Sequence, residues 1–127
     1  MSETIKDDTY RIQKIQFYCE TIIDFTTERS YEEFKKDNQL NFAISFALIQ
    51  IGEEAAKLTK NFLKKYNHIP WRNIIGIRHR IVHDYSGSNM LILWEAAKDS
   101  IPELLAEIKK IGDVNNESST NNTNSTY

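Results

Sequence analysis

The stretch L-N-F-A-I-S-F-A-L-I-Q-I-G-E-E-A-A-K-L-T-K-N-F, residues 40–62, carries the longest apolar stripe of the chain. Its apolar side chains recur at the spacing of an amphipathic α-helix, at Leu40, Ala43, Ile44, Ala47, Leu48, Ile51, Ala55, Leu58 and Phe62. Gly52 lies inside the stretch, where a glycine costs about 1 kcal/mol relative to alanine. We predict one helix of six turns, with Gly52 permitting a second helix to cross closely.

Two predicted helices precede this one. Residues 7–27 place apolar side chains at helical spacing. Ser30 and Glu33 then match the S-x-x-E pattern of a capping box, in which the hydroxyl and the carboxylate satisfy opposite backbone amides. We expect a short helix from this box to about Lys36.

The C-terminal part predicts a last helix and a polar tail. An apolar stripe begins at Trp94. Pro102 should kink this helix because proline lacks an amide proton, and Gly112 should end it. The sequence beyond Gly112 is polar and of low complexity, with too little apolar surface to repay ordering. We predict one domain over residues 1–112 and a disordered tail over residues 113–127.

The composition favours an all-α protein. Only four of 127 residues are glycine and two are proline, while 40% are hydrophobic and 27% are charged. The one cysteine, Cys19, excludes an internal disulfide and offers no metal cluster. No apolar run approaches the roughly 20 residues of a membrane span, and no signal-peptide pattern is present. We expect a cytoplasmic protein with no cofactor and no membrane contact.

The stretch W-R-N-I-I-G-I-R-H-R-I-V-H-D-Y, residues 71–85, contains the candidate functional residues. On an ideal helix, at about 100° per residue, most of its apolar side chains form one arc with Arg78 near the middle. An arginine removed from water costs several kcal/mol unless it is paired or faces a polar cleft. We predict that Arg78 lines a site or a subunit interface. Glu53 or Glu54 could pair with it, or both could be plain surface residues.

Basic residues cluster around the same stretch. Between Ala55 and His83 there are seven lysines and arginines and no acidic residue, although the net charge of the chain is −2. A solvated lysine face would explain the lysines alone, whereas a surface for a polyanion explains their continuity with the arginines. The candidate nucleic-acid contacts are Lys57, Lys60, Lys64, Lys65, Arg72 and Arg80.

Arg78 and His83 suit the cleavage of RNA without a metal. Histidine can move a proton near neutral pH, and arginine can bind a phosphate on which charge develops. The ribose 2′-hydroxyl would be the nucleophile, so no protein nucleophile is needed. The spacing alone is a weak signal, and His83 could equally be a structural or an exposed histidine.

The sequence disfavours two other kinds of site. His79 and His83 are four residues apart and could share a metal, but the glutamate of an H-E-x-x-H motif is missing and no third ligand is obvious. Cys19 lies on an apolar stripe, and no G-x-S-x-G elbow is present, which disfavours a serine or cysteine hydrolase. We therefore predict no metal site.

Several blocks of the sequence, in order, resemble one known family over residues 5–111. The blocks are Y-E-E-F (31–34), I-G-E-E-A-A-K-L (51–58), I-P-W-R-N-I-I-G-I-R (69–78), H-D-Y (83–85), L-W (93–94) and I-P-E-L (101–104). They resemble the HepT-like family of the HEPN superfamily, which are small helical proteins of prokaryotes. The resemblance implies an antiparallel bundle of four to five helices that forms a homodimer.

The resemblance also implies a function and a set of site residues. Family members are ribonuclease toxins that act on RNA, with an R-x4-H motif in a cleft shared by two subunits. Arg78 and His83 match that motif, and His79 takes the polar position after the arginine. Independently of the resemblance, we predict Glu53 as an accessory residue because it could pair with Arg78. Tyr85 matches the tyrosine to which an MntA-like minimal nucleotidyltransferase antitoxin adds AMP. As an alternative, Tyr85 could be a core aromatic.

The geometry of the motif leaves one question open. On an ideal helix Arg78 and His83 point about 140° apart. Either the helix loosens near His83, or the site combines residues of two chains.

Two rival functions also remain: a non-catalytic module that binds a nucleotidyltransferase or its nucleic acid, and a complex in which the partner is the only enzyme.

Overall fold

The computed structural model describes the backbone of residues 5–84 and 90–118 and the side chains of residues 7–83 and 90–111. This part of the chain contains helices and short connections but no β-strand, which confirms the all-α prediction. None of its helices is both long enough and apolar enough to span a membrane. The helices are α1 (Ile5–Thr26), α2 (Tyr31–Lys36), α3 (Asn38–Ala56), α4 (Lys60–Lys65), α5 (Trp71–Asp84), α6 (Met90–Glu95) and α7 (Ile101–Ser118), with a π-helical segment (Ala96–Ser100) between α6 and α7.

Helix α3 is the centre of the bundle. It packs against α1 and against α5, and α7 packs against α1. The predicted stripes face inward, with Ile22 of α1, Leu48 of α3 and Ile108 of α7 fully enclosed. Burying one such side chain stabilises the fold by about 1.5–3 kcal/mol. The amphipathic pattern of the sequence therefore accounts for the core.

The predicted capping box opens α2. The backbone amide of Glu33 donates to Ser30 Oγ at 3.1 Å, and the backbone amide of Ser30 donates to Glu33 Oε1 at 2.9 Å. The helix ends at Lys36, as expected. Its buried Phe34 lies 5.1 Å from the ring of Trp94, centroid to centroid, which docks α2 against α6.

The predicted six-turn helix over residues 40–62 is wrong, because α3 ends at Ala56 and α4 begins at Lys60. Thr59 caps α4 by accepting a hydrogen bond from the amide of Phe62 at 3.2 Å. The Thr59 amide and hydroxyl donate in turn to the carboxylate of Asp8, at 2.9 Å and 2.6 Å. Asp8 is only 2% exposed. A buried carboxylate of α1 thus breaks the helix, even though the apolar spacing continues past it.

Replacing Asp8 with alanine should destabilise the protein. The substitution leaves the half-buried Thr59 amide and hydroxyl without their acceptor, which costs about 1–3 kcal/mol in the free energy of unfolding. Urea denaturation followed by circular dichroism measures the loss. Asp24→Ala removes an exposed carboxylate of the same helix and should change stability by no more than about 0.5 kcal/mol. Equal losses in the two variants would contradict the role of Asp8.

Gly52 lies where α3 crosses α5, as the sequence predicts. A Cβ atom at this position would lie 3.2 Å from the carbonyl oxygen of Ile74 and 3.3 Å from the Cβ of Arg78. The first neighbour is backbone and cannot move aside without shifting α5. The glycine therefore sets the short distance between the two helices, and it brings Arg78 against α3.

The C-terminal helix has a π-helical segment just before Pro102 and continues past the expected stop at Gly112. The backbone amide of Ile101 donates to the carbonyl of Ala96, five residues back, so a widened π-turn directly precedes Pro102. Helix α7 then continues past Gly112 to Ser118, so the predicted stop at Gly112 is wrong. A glycine weakens a helix by about 1 kcal/mol but ends it only where the backbone turns left-handed. Of the tail predicted for residues 113–127, residues 113–118 belong to α7, and residues 119–127 lie outside the described residues.

Candidate active site

Arg78 of α5 faces α3 and is held by a carboxylate. Its Nη1 lies 2.6 Å from Glu53 Oε2, and the two side chains are 43% and 35% exposed. Arg78 lies at the edge of the core and not inside it. Glu53 pairs with its charge, while much of the guanidinium remains open to solvent. Of the two glutamates suggested by the sequence, Glu53 is the partner of Arg78.

Glu54 has a different, structural environment. It is 3% exposed, and its carboxylate contacts Arg11 Nη1 at 3.0 Å and Lys14 Nζ at 3.4 Å. Both cations belong to α1, so this buried cluster ties α1 to α3. Removing one partner from a buried ion pair leaves an uncompensated charge and is strongly destabilising. Glu54 is therefore a scaffold residue and not a plain surface residue.

The pairing keeps Glu53 ionised. The hydrogen bond from Arg78 lowers the pKa of Glu53, burial opposes this effect, and the charges of Arg78 and Lys57 lower the pKa further. The pKa of Glu53 is lower in the folded protein than in the unfolded chain. The ion pair therefore makes its full contribution to the free energy of unfolding above pH ~4.3, the ordinary pKa of glutamate. The contribution is lost as the pH falls through the lowered pKa. At neutral pH Arg78 is thus bound to an anion that a phosphate would have to replace.

His83 and His79 form a separate pair on the outer face of α5. Their ring centroids lie 4.3 Å apart with a 40° tilt, and both side chains are exposed. Helix α5 stays α-helical from Trp71 to Asp84, so it does not loosen near His83. Arg78 and His83 consequently point about 140° apart within one chain. The structure joins Arg78 to Glu53 and His83 to His79, but one chain does not place the guanidinium and the imidazole on the same face.

An exposed aromatic surface lies on the same side of α3 as Glu53, and the sequence analysis did not predict it. The ring of Tyr18 lies 5.3 Å from that of Phe17 and 6.4 Å from that of Phe46, centroid to centroid. Phe17, Phe42 and Phe46 are each more than half exposed. Phe42 and Phe46 lie on successive turns of α3, and Glu53 follows two turns later on the same side. We call Phe17, Tyr18, Phe42 and Phe46 the aromatic face; its sequence signal is a second apolar stripe on α3.

A family comparison identifies the class of protein. A family model described as Ribonuclease HepT-like matches residues 15–111. The chain belongs to the HepT-like ribonuclease family. The matched range runs from the middle of α1 into α7 and includes Glu53, Arg78 and His83. The resemblance inferred from the sequence blocks is therefore confirmed.

Individual relatives of the HepT-like chain carry ribonuclease names. A Methanocaldococcus jannaschii protein named Putative RNase is 39% identical over 94 residues, which are 74% of this chain and 81% of that protein. A Caldanaerobacter subterraneus subsp. tengcongensis protein, also named Putative RNase, is 39% identical over 93 residues, 73% of this chain and 83% of its own. A Thermococcus cleftensis protein named Probable ribonuclease HepT is 34% identical over 100 residues, 79% of this chain and 91% of its own. No solved structure matches the chain.

The predicted RNA-contacting cations of the HepT-like chain are divided between surfaces. Lys57 follows the last turn of α3 and is close enough to Glu53 to lower its pKa. Arg80 lies on the side of α5 away from Arg78, about 160° around the helix axis. The other four cations are exposed, three lysines on α4 and one arginine in the first turn of α5: Lys60, Lys64, Lys65 and Arg72.

Within the described residues, the remaining candidate groups of the HepT-like chain form no second catalytic or metal site. Burial raises the pKa of Cys19 to about 12, so this thiol stays protonated and is a poor nucleophile. Among the described residues no group of three or more histidine, cysteine, aspartate or glutamate side chains could hold a metal ion. Tyr85, the predicted target of AMP transfer, lies outside the described residues.

Proposed function

We propose that the HepT-like chain is a metal-independent endoribonuclease toxin whose site combines Arg78 with His83. The observation that supports this most is the half-exposed Arg78 beside Glu53, in a chain whose relatives carry ribonuclease names. A guanidinium held in place but open to solvent can bind an RNA phosphate in two-pronged geometry. Glu53 and His79 are accessory residues in this proposal.

In the proposed reaction the phosphate displaces Glu53 from Arg78. The ribose 2′-oxygen then forms a bond to phosphorus while the bond from phosphorus to the 5′-oxygen breaks. An imidazole removes the proton of the 2′-hydroxyl, and a protonated imidazole supplies a proton to the leaving 5′-oxygen. Arg78 stabilises the charge that develops on the phosphate oxygens. No metal takes part in these steps.

We propose that a second copy of the chain completes the site. One helix directs Arg78 and His83 to different faces, so a pair that acts together must come from two copies. The aromatic face offers apolar surface for such a contact on the side of α3 that also carries Glu53, the partner of Arg78. Exposed aromatic clusters of this kind mark protein interfaces. The homodimer would thus place the Arg78 of one copy near the His83 of the other.

Glu53→Gln should strengthen RNA binding. The substitution removes the charge that competes with phosphate for Arg78, so the KM for RNA should fall by up to about fivefold, in line with an exposed ion pair worth 0.2–1 kcal/mol. Steady-state cleavage of a labelled RNA at several concentrations gives KM and kcat separately. Glu32→Gln disrupts a comparable exposed ion pair, with Lys35 on α2, and should leave KM unchanged. A KM that rises with Glu53→Gln would mean that Glu53 assists binding and does not compete with it.

We further propose regulation by an MntA-like minimal nucleotidyltransferase antitoxin that adds AMP to Tyr85. Tyr85 is two residues from His83, and the added phosphates would compete with RNA for Arg78. Co-expression with such a partner should add whole AMP units to the intact mass of the chain, and Tyr85→Phe should abolish the addition. Mass increments that persist in Tyr85→Phe would place the modification elsewhere.

A cytoplasmic location remains a prediction.

A second candidate function is a non-catalytic module that binds a nucleotidyltransferase or its nucleic acid. The exposed lysines of α4 favour it, since they offer a phosphate-binding surface that does not need the Arg78 and His83 pair. The same RNA assay separates the two functions. RNA binding that weakens steeply with salt while the RNA stays intact would favour the module. If the partner is the only enzyme of the complex, the purified chain alone should not cleave RNA. Cleavage by the purified chain supports the toxin.

A further inference from the structure

Helix α5 borders a groove on the side of Ile77 and Arg80. Although α5 packs closely on α3, two adjoining cavities of about 470 Å³ and 500 Å³ separate it from the α6–π–α7 arm. Leu48 and Ile77 form part of the floor of both cavities, and Ile81 and Leu93 extend the apolar surface at one end. Ile92, at that end, is more than half exposed. The two cavities adjoin at the shared residues Leu48, Ile77, Arg80 and Ser100, so together they line one groove with an apolar floor.

One wall of this groove carries a row of carboxylates. Glu95 and Asp99 line the first cavity, and Glu103 and Glu107 line the second. The four residues are spaced four apart, so the row follows one side of the arm for about 18 Å, at 1.5 Å per residue. We call this groove the acidic groove.

Three of the four carboxylates in the acidic groove have no ion-pair partner within the described residues. Glu107 contacts Lys110 and His68, at 3.3 Å and 3.1 Å. Glu95, Asp99 and Glu103 form no ion pair with any residue in the described part of the chain. Lys98, the cation nearest to them in sequence, instead donates to the carbonyl oxygen of Thr26 at 3.3 Å. Arg80 lines the groove as well, without an ion pair to the row within the described residues.

We propose that the acidic groove binds an amphipathic helix of a partner protein, with apolar residues on one side and lysines or arginines along one edge. The apolar floor would accept the apolar side of such a helix. The carboxylates repeat every four residues, which is also the spacing of cations along one edge of a helix. A row of about 18 Å matches three helical turns, or about 12 residues.

The charge pattern distinguishes this occupant from RNA. A row of carboxylates repels a phosphate backbone but attracts a basic peptide. This attraction weakens as the salt concentration rises. Ile77, which lines both cavities of the acidic groove, lies about 100° from Arg78 around the axis of α5, so the groove and the proposed ribonuclease site occupy neighbouring but separate sides of this helix. The groove can therefore be occupied while Arg78 remains open. Binding of a partner helix in the groove does not require ribonuclease activity.

A pair of designed peptides tests the proposal with the full chain. The probe is a fluorescein-labelled 14-residue helical peptide with leucines along one side and lysines every fourth residue along the adjoining edge. The control peptide has glutamate at each lysine position. Fluorescence anisotropy should show saturable binding of the basic peptide, weaker at higher salt, and no binding of the acidic one. No binding of either peptide would overturn the proposal.

Charge reversal in the groove locates the binding. Asp99→Lys combined with Glu103→Lys should weaken binding of the basic peptide at least tenfold. Glu20→Lys combined with Glu32→Lys makes the same change in net charge on α1 and α2, and should have little effect. Circular dichroism confirms that both double variants fold, and hydrogen exchange should show peptide-dependent protection around Ile77 and Leu104. Equal affinity in the two double variants, or protection on another face, would overturn the proposal.

Discussion

Arg78→Ala and His83→Ala should each lower the rate of RNA cleavage at least about a hundredfold, since a proton-transfer group contributes 10²–10⁴ and a charge-stabilising donor a similar factor. Arg78→Lys keeps the charge but loses the planar, two-pronged contact to phosphate, so it should recover little of the rate. The measurement is single-turnover cleavage of a labelled RNA in the presence of a metal chelator.

Two matched variants control for the loss of a surface cation or imidazole. Arg29→Ala removes an exposed arginine that pairs with Asp37, far from α5 in the chain. His68→Ala removes an exposed histidine that contacts Glu107. Both variants should cleave RNA at the wild-type rate. Cleavage that survives Arg78→Ala or His83→Ala would remove the roles assigned to these residues.

Phe42→Lys combined with Phe46→Lys should convert the proposed dimer to monomer and abolish cleavage. Each substitution removes an aromatic side chain from the aromatic face and places a charge there. A buried aromatic anchor contributes about 2 kcal/mol or more to the binding free energy, so the dissociation constant of the dimer should rise at least about a hundredfold. Sedimentation equilibrium measures the association, and the RNA assay measures the rate. The monomer should lose activity although Arg78, Glu53 and His83 are all present, because the site needs two copies.

An exposed apolar residue outside the aromatic face provides the control for this double variant. Leu91 on α6 is about half exposed, so Leu91→Lys changes the surface without entering the proposed contact. It should leave both the dimer and the rate unchanged. A dimer that persists in the double phenylalanine variant would place the subunit contact elsewhere. A monomer that still cleaves RNA would show that one chain is sufficient.

The sequence predicted those features of the fold that depend on local pattern. Apolar spacing located the buried faces of α1, α3 and α7, and the capping box located the start of α2. Gly52 predicted a close crossing because only the absence of a side chain allows one. The break after Ala56 escaped prediction, since it depends on Asp8, which is 51 residues from Thr59 in the chain.

The candidate site was predictable in its residues but not in its arrangement. Motif and charge pointed to Arg78, and Glu53 and Glu54 were equally good partners by spacing. Only the packing of α1 decides between them, because Arg11 and Lys14 take Glu54. The aromatic face was hidden by the stronger inward stripe of α3. That His83 lies on a different face from Arg78 follows from helix geometry, and it is the reason why a second copy is proposed.

Mixing two inactive variants tests most directly whether the site is shared. A dimer of one Arg78→Ala chain and one His83→Ala chain has one site with both residues intact if the site spans two copies, and none if it lies within one chain. After unfolding and refolding an equal mixture, the shared site predicts recovery of about a quarter of the wild-type cleavage rate, since half the dimers are mixed and each has one of two sites. A mixture that stays as inactive as its two components would contradict the account.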